Sequence, residues 1–158
     1  GIIMPIVFAR VDDRLIHGQI VQAWLPELNV DEIVIPRSPK AQGNFNEGLL
    51  RLSLPYEYEL TVLDAHRCKD YIEHSAKNIF LLAASLADVM PLLEDGLKVK
   101  SLNIGGMHFK QGAQKLDDNV FLDEQDKRLL SIFKTLGLNI ETRAVPNSKS
   151  ISLEAVLP

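Results

Sequence analysis

Cysteine is nearly absent from this chain. With Cys68 alone no internal disulfide can form, and nothing suggests a stapled secreted scaffold. Long apolar runs are missing too: stretches such as 79–85 are far too short to cross a bilayer. Positive charge is not in excess. The 17 Lys and Arg residues are outnumbered by 21 Asp and Glu, and a net charge of −4 gives no basic footprint for nucleic acid. Gly and Pro, 9 and 8 of 158 residues, are too few for a collagen-like or low-complexity chain. The first residues carry no basic segment followed by an apolar one, so no signal peptide is expected. Met4 reads as the native start and residues 1–3 as a remnant added before it. What is present is a hydrophobic content of 46% with 24% charged residues, which suits a folded globule. A chain of this length buries about 68–70% of its unfolded surface as one core. The expectation is one soluble, cytoplasmic domain over residues 4–158.

Apolar patterning supplies the fold class. Ile6-Val7-Phe8-Ala9, Ile33-Val34-Ile35, Ile79-Phe80-Leu81-Leu82 and Ser101-Leu102-Asn103-Ile104 read as buried strands. Residues 57–63, Val120-Phe121-Leu122 and residues 139–145 add further strands. Helical spacing appears over 17–28, where Pro26 predicts an end or kink near Leu25, weakly over 44–52, and from Asp64 to about Ser75. Two more helices are expected, one opened by Ser85 and ending near Gly96, the other opened by Asp123 and stopped at Gly137. Strands alternating with helices predict an α/β fold: an open, mostly parallel twisted sheet, flanked by helices on both faces, with an antiparallel edge strand. Ligands of such sheets lie beyond the carboxyl ends of the strands. The loops after Arg10, Ile35, Leu63, Ala84 and Ile104 are therefore the places to look for chemistry.

The first of these loops is the richest. Arg10, Asp12, Asp13, Arg14 and His17 fall within eight residues at a strand-to-helix junction, followed by Gly18. Free N–H groups at a helix start favour anions, and an arginine can grip a phosphate with its forked donors. Asp12 or Asp13 could orient the His17 imidazole and select its tautomer. Gly18 permits close backbone approach. A metal site is not expected here, since no second His or Cys stands at ligand spacing. The plainer alternative is a surface network of ion pairs with His17 as an ordinary helix-end residue.

Other candidates are weaker. His66 lies after the third strand beside Asp64 and Arg67, and is read as solvent-exposed in a helix's first turn. His74 reads as a structural residue near a helix end. His108 follows Gly105-Gly106 at the correct edge of the sheet and could touch a ligand or partner. Gly105-Gly106 lacks the rest of either phosphate-loop fingerprint and is read as a sharp turn. Cys68 has no histidine partner nearby, and Trp24 falls on an apolar helical face that belongs in the core.

The run Arg10-Val11-Asp12-Asp13-Arg14-Leu15-Ile16-His17-Gly18-Gln19 resembles the phosphorylation-site signature of the IIB component of the mannose/fructose/sorbose family of the bacterial phosphotransferase system. Asn103-Ile104-Gly105-Gly106-Met107-His108-Phe109, with Gly112 and Asp126 downstream, is similar to a late loop of the same family. The likeness extends from about residue 4 to 157. It implies a phosphocarrier in which His17 takes a phosphoryl group on Nδ1 from a phosphorylated IIA protein or domain. The group then passes to sugar at the membrane components IIC and IID, on the cytoplasmic face. Arg14 and nearby backbone would stabilise the phosphate; no metal or organic cofactor is implied, and the family allows a homodimer. The loop Pro36-Arg37-Ser38-Pro39-Lys40 departs from the family, which commonly places an Asp there. Two alternatives stay open: a regulatory relative that is phosphorylated without driving transport, and a non-catalytic anion- or nucleotide-binding module.

Overall fold

A computed structural model describes residues 5–39, 45–154, 156 and 157. The expectations that fall on residues 1–4, Lys40, Gly43, Asn44 and Pro158 lie outside these. Six strands form one sheet: β1 (Ile6–Asp12), β2 (Glu32–Arg37), β3 (Glu59–Asp64), β4 (Ile79–Ala83), β5 (Ser101–Gly106) and β8 (Asn139–Thr142), in the order β3-β2-β4-β1-β5-β8. Every pairing in it is parallel. Buried parallel strands need apolar side chains on both faces. β2 and β4, sealed from Glu32 to Pro36 and from Ile79 to Ala83, meet that need.

Among the described residues no antiparallel strand joins this sheet, contrary to the expectation of one at an edge. The antiparallel pairing lies elsewhere, in a separate hairpin of β6 (Gln114–Asp117) and β7 (Val120–Leu122). Beside β8 it shrinks to a single bridge between Thr142 and Ile151. The chain between those two residues turns through Pro146 and a run of short polar side chains, which leaves no second strand to extend the bridge.

Helices α2 (Ala65–Glu73), α3 (Leu86–Glu94) and α4 (Glu124–Thr135) cover one face, packing on Ala9, Val11, Val34 and Leu81. Asp64, Ser85 and Asp123 cap them as expected, each side chain accepting a backbone N–H of the first turn. Gly137, at φ +95°, ends α4 in the left-handed conformation that glycine adopts without strain. The other face holds α1 (Glu47–Ser53) and the segment joining β1 to β2, which pack on Phe8, Ile33, Ile35, Phe80 and Leu82. That segment is not a regular α-helix. It is a six-residue π-helical turn, Gln19–Trp24, followed by a 3-10 turn at Leu25–Glu27 where Pro26 denies the chain a further donor.

The chain leaves β1 toward β2 and leaves β5 toward β8. These neighbouring strands therefore send their connections in opposite directions, and a crevice opens beyond their carboxyl ends.

Candidate functional site

β1 brings Arg10 and Asp12 to the carboxyl end of the sheet on one face, because alternate residues of a strand share a side. Both are fully buried, and Asp12 is the hub. Its Oδ1 accepts the Arg14 backbone N–H at 3.1 Å and the Arg14 Nε at 2.9 Å. Its Oδ2 accepts Arg14 Nη2 at 2.9 Å, Arg10 Nη2 at 3.1 Å and His17 Nε2 at 2.9 Å. Burial is the largest influence on this carboxyl and pushes its pKa up. The hydrogen bonds from His17 and Arg14 and the charge of Arg10 outweigh it, holding Asp12 well below the usual carboxylate range.

An ionised carboxylate only accepts hydrogen bonds, so the proton of a neutral His17 ring sits on Nε2. Nδ1 keeps its lone pair. Among the described residues its one hydrogen bond is a long one, 3.4 Å, from the Gln19 backbone N–H. The ring is not the freely exposed group that a shuttle suggests: its side chain is 18% accessible. The connection to it is held in strain. Leu15, buried in the loop before His17, has φ +57°, a conformation that costs a branched side chain about 1 kcal/mol or more.

Arg14 is 29% accessible, and its Nε and Nη2 are committed to Asp12, with Nη2 also reaching the Gln19 side chain at 3.1 Å. Its Nη1 has no partner among the described residues. Arg10 is different. Its Nη1 donates to Asn103 Oδ1 at 2.7 Å and to the Arg143 carbonyl at 3.0 Å, and its guanidinium lies over the Trp24 ring. Sealed this way it cannot meet a ligand; it fixes Asp12. Gly18 is exposed, with nothing within 4 Å of the place a Cβ would occupy, so no close approach within the described residues requires glycine there. The short π-helical turn after it offers little of the helix dipole expected there, so the positive charge at this junction comes mainly from Arg14.

Asp13 does not orient His17. Its carboxylate turns across the crevice to the loop after β5. There it takes the His108 backbone N–H at 2.7 Å and contacts His108 Nδ1 at 2.6 Å.

Gly105-Gly106 corrects another expectation. The pair ends β5 rather than making a sharp turn, and Gly105 is an extra residue opposite β1, since Val11 pairs with Ile104 and Asp12 with Gly106. Both glycines are there for space. A Cβ at 105 would sit 1.9 Å from the Arg10 guanidinium, and one at 106 would sit 2.6 Å from Asp12 Oδ1. Because Arg10 is bonded on all sides, it cannot swing away cheaply. Gly105→Ala is therefore expected to lower stability by about 1–3 kcal/mol, as overpacking does. Thermal unfolding of the variant reads this directly, and an unchanged midpoint would mean that Arg10 is freer than its contacts indicate.

Asn103 is the residue that sequence reasoning missed. It holds Arg10 through Oδ1 and donates from Nδ2 to Glu141 at 3.1 Å. A polar amide inside an otherwise apolar buried strand was the available signal, since such a group must find partners. The remaining histidines stand apart. His66 begins α2 and pairs with Asp95 on the surface, and that carboxylate raises its pKa. It follows β3, three strands from β1 and so about 14 Å across the sheet. His74 closes α2 against the Asp70 carbonyl. Cys68 is buried and its thiol is pushed up to about 12 by that burial, which leaves it unreactive. Trp24 belongs to the core, stacked on Phe8 with its Nε1 donating to the Ala144 carbonyl.

The departing loop after β2 is anchored in its own way. Arg37 covers the Phe45 ring, and the Ser38 backbone N–H donates to the buried Asp88 in the first turn of α3. Among the described residues, no group of three or more metal-ligating side chains could hold an ion, and no helix is long and apolar enough to cross a membrane.

Comparison with known proteins places this arrangement. The model of the sorbose-subfamily IIB component of the PTS system matches residues 6–158. The sorbose-specific EIIB component of Lacticaseibacillus casei is 32% identical, over 96% of this chain and 94% of the relative. The mannose-specific EIIAB component of Escherichia coli K12 is 31% identical over 95% of this chain, which spans only 47% of that relative. Among solved structures, the IIBSor domain of the sorbose permease from Klebsiella pneumoniae superposes with a TM-score of 0.82 at 28% identity, over 95% of this chain and 94% of that one. The manxB protein from Thermoanaerobacter tengcongensis gives 0.85 at 26% identity, over 97% of each. With its all-parallel sheet and His17 at the carboxyl end of β1, the chain belongs to the sorbose-subfamily IIB components of the sugar phosphotransferase system.

Proposed function

We propose that the protein is a phosphocarrier in which His17 Nδ1 receives a phosphoryl group from a phosphorylated IIA partner and delivers it to a sugar hydroxyl. The observation that carries this reading is the bond from His17 Nε2 to the buried, ionised Asp12. It keeps the proton on Nε2 and leaves Nδ1 as the nucleophile.

In the first step the P–N bond of the donor phosphohistidine breaks as a P–N bond forms to His17 Nδ1, and the donor nitrogen regains its electron pair. In the second, the sugar oxygen attacks phosphorus, the bond to Nδ1 breaks with its electron pair returning to that nitrogen, and the hydroxyl proton passes to solvent. Both steps ask the protein for in-line positioning and charge stabilisation. The Gln19 backbone N–H contacts Nδ1, and Arg14, joined to the same Asp12 oxygen as the His17 ring, supplies a neighbouring positive charge. Asp12 holds the ring from behind and stabilises the positive charge that it gains while carrying phosphate. The acceptor sugar is expected at membrane IIC/IID components, with the protein working on the cytoplasmic face. The fused name EIIAB of the Escherichia coli relative supports a IIA partner.

The test is a phosphotransfer assay. With phosphoenolpyruvate, the general phosphotransferase proteins and a mannose-family IIA, the native chain should acquire phosphate that is labile in acid and stable in base. Arg14→Ala should slow that labelling about tenfold, the value of one charge-assisted hydrogen bond in the transition state. Because Arg14 is partly exposed, the variant should keep the native fold. No label on the native chain would leave the anion-binding module as the better reading. Label without transfer to sugar when IIC and IID are supplied would favour the regulatory one.

A further inference from the structure

We propose that His108 is a positioning residue for this reaction: with Asp13 it forms a clamp that holds the His17 loop against the loop after β5. The clamp is made at two points. The His108 backbone N–H donates to Asp13 Oδ2 at 2.7 Å, and the His108 ring meets Asp13 Oδ1 through Nδ1 at 2.6 Å. The Asp13 backbone N–H donates in turn to the Gly106 carbonyl at 3.1 Å, so the two loops are tied through both main chain and side chain.

Each loop has the property that the clamp requires. The His17 loop stores strain at Leu15, at φ +57°, and is followed by only a six-residue π-helical turn, so contacts from outside the loop must offset the cost of that conformation. The loop after β5 is anchored firmly. Met107 exchanges backbone bonds with the hairpin, donating to the Asn119 carbonyl and accepting from Phe121. Phe109 packs edge-on against Phe121, and Lys110 bridges Asp123 and Asp126, the two residues that cap α4. A rigid loop thus holds a strained one, and the residue held is next to Asp12, whose carboxylate fixes the His17 ring. A small rotation at Asp13 would carry Asp12 and the imidazole out of line, and phosphoryl transfer is sensitive to such misplacement. The ring of His108 is otherwise open to solvent, 74% accessible, and among the described residues the polar contact it makes is the one to Asp13.

The experiment measures the initial rate of phosphorylation by the phosphorylated IIA protein for native, His108→Ala, His108→Asn and Asp13→Ala chains at several donor concentrations. Asn offers a side-chain N–H near the place of Nδ1. His108→Ala, which keeps the backbone bond, should lower the maximal rate about three- to tenfold, with the half-saturating donor concentration unchanged. Asp13→Ala, which loses the backbone hydrogen bond and the ring contact, should lower it further, and His108→Asn should restore most of the native rate. Unaltered rates in His108→Ala and Asp13→Ala would overturn the proposal. So would an effect confined to the half-saturating concentration, which would make His108 a docking contact, or failure of Asn to rescue. The exposed His108 variants keep the test decisive even if Asp13→Ala misfolds. The inference rests on His17 as the phosphoryl acceptor. A native chain that takes no label at His17 removes that reading, whereas native labelling with unaltered variant rates removes the clamp alone.

Discussion

His17→Ala is expected to take no phosphate at all from a phosphorylated IIA partner while unfolding close to the native temperature. The two parts of this expectation have separate physical grounds. Loss of labelling follows because the other histidines stand outside the Asp12 site. His66 is three strands away and paired with Asp95, His74 closes α2, and His108 turns its Nδ1 to Asp13 rather than to Asp12. Survival of the fold follows because His17 is only one of several donors to Asp12. With the imidazole gone, Arg10 and Arg14 still satisfy the buried carboxylate, so no uncompensated charge is created. The cost is one hydrogen bond to a charged group, about 1.5–3 kcal/mol at most. Mass spectrometry of the intact chain after incubation with the phosphorylating proteins, beside a thermal melt, reads both. Label that persists in His17→Ala, or that maps to His66 or His108 in the native chain, would move the acceptor elsewhere.

Much of this site could be read in the sequence, and what could not shares a cause. Strands such as Ile79-Phe80-Leu81-Leu82 and caps such as Asp64 and Asp123 are local facts: apolar runs and hydrogen-bonding side chains act on their own neighbours in the chain. The concentration of Arg10, Asp12, Asp13, Arg14 and His17 was local as well. The division of labour among them was not. Alternation along β1 sends Arg10 inward with Asp12. Only contact with Asn103, Arg143 and Trp24, all distant in sequence, shows that Arg10 is sealed from any ligand. The glycines of β5 were misread for the same reason. A glycine pair suggests a turn when only φ and ψ are considered, whereas here the absent Cβ makes room for side chains of another strand. β7 stands where its apolar run predicts it, but its partner β6 has no such signal, because Gln114–Asp117 is mostly polar and short and is paired only through the chain reversal at residues 118 and 119. The π-helical turn had no local signature beyond Pro26, which marks where it ends.

Asp12→Asn carries the largest stability effect. Arg10 is buried with Asp12 as its counter-ion, and removing one partner of a buried pair leaves an unpaired charge that costs about 3–5 kcal/mol. The neutral amide also cannot define the His17 tautomer, because it offers a donor as well as an acceptor, so labelling at His17 should fall with the stability. The effect should depend on pH in a definite direction. The folded chain holds the Asp12 carboxyl below its unfolded value, so this group's stabilisation is fully present above the unfolded value, about 4. It is lost as the pH falls through the lower, folded value. The native chain should therefore exceed Asp12→Asn by its full margin near neutrality, and the gap should close as both are acidified. Urea unfolding of the two proteins at pH 7 and at a series of points below pH 4 measures that gap. A margin independent of pH would mean that the Asn side chain, not the missing charge, causes the loss. The charge argument has a second consequence: removing both ions in Arg10→Met/Asp12→Asn should recover part of the stability while leaving His17 without its anchor. Recovery of stability without recovery of labelling is what separates Asp12's part in the core from its part in holding the imidazole.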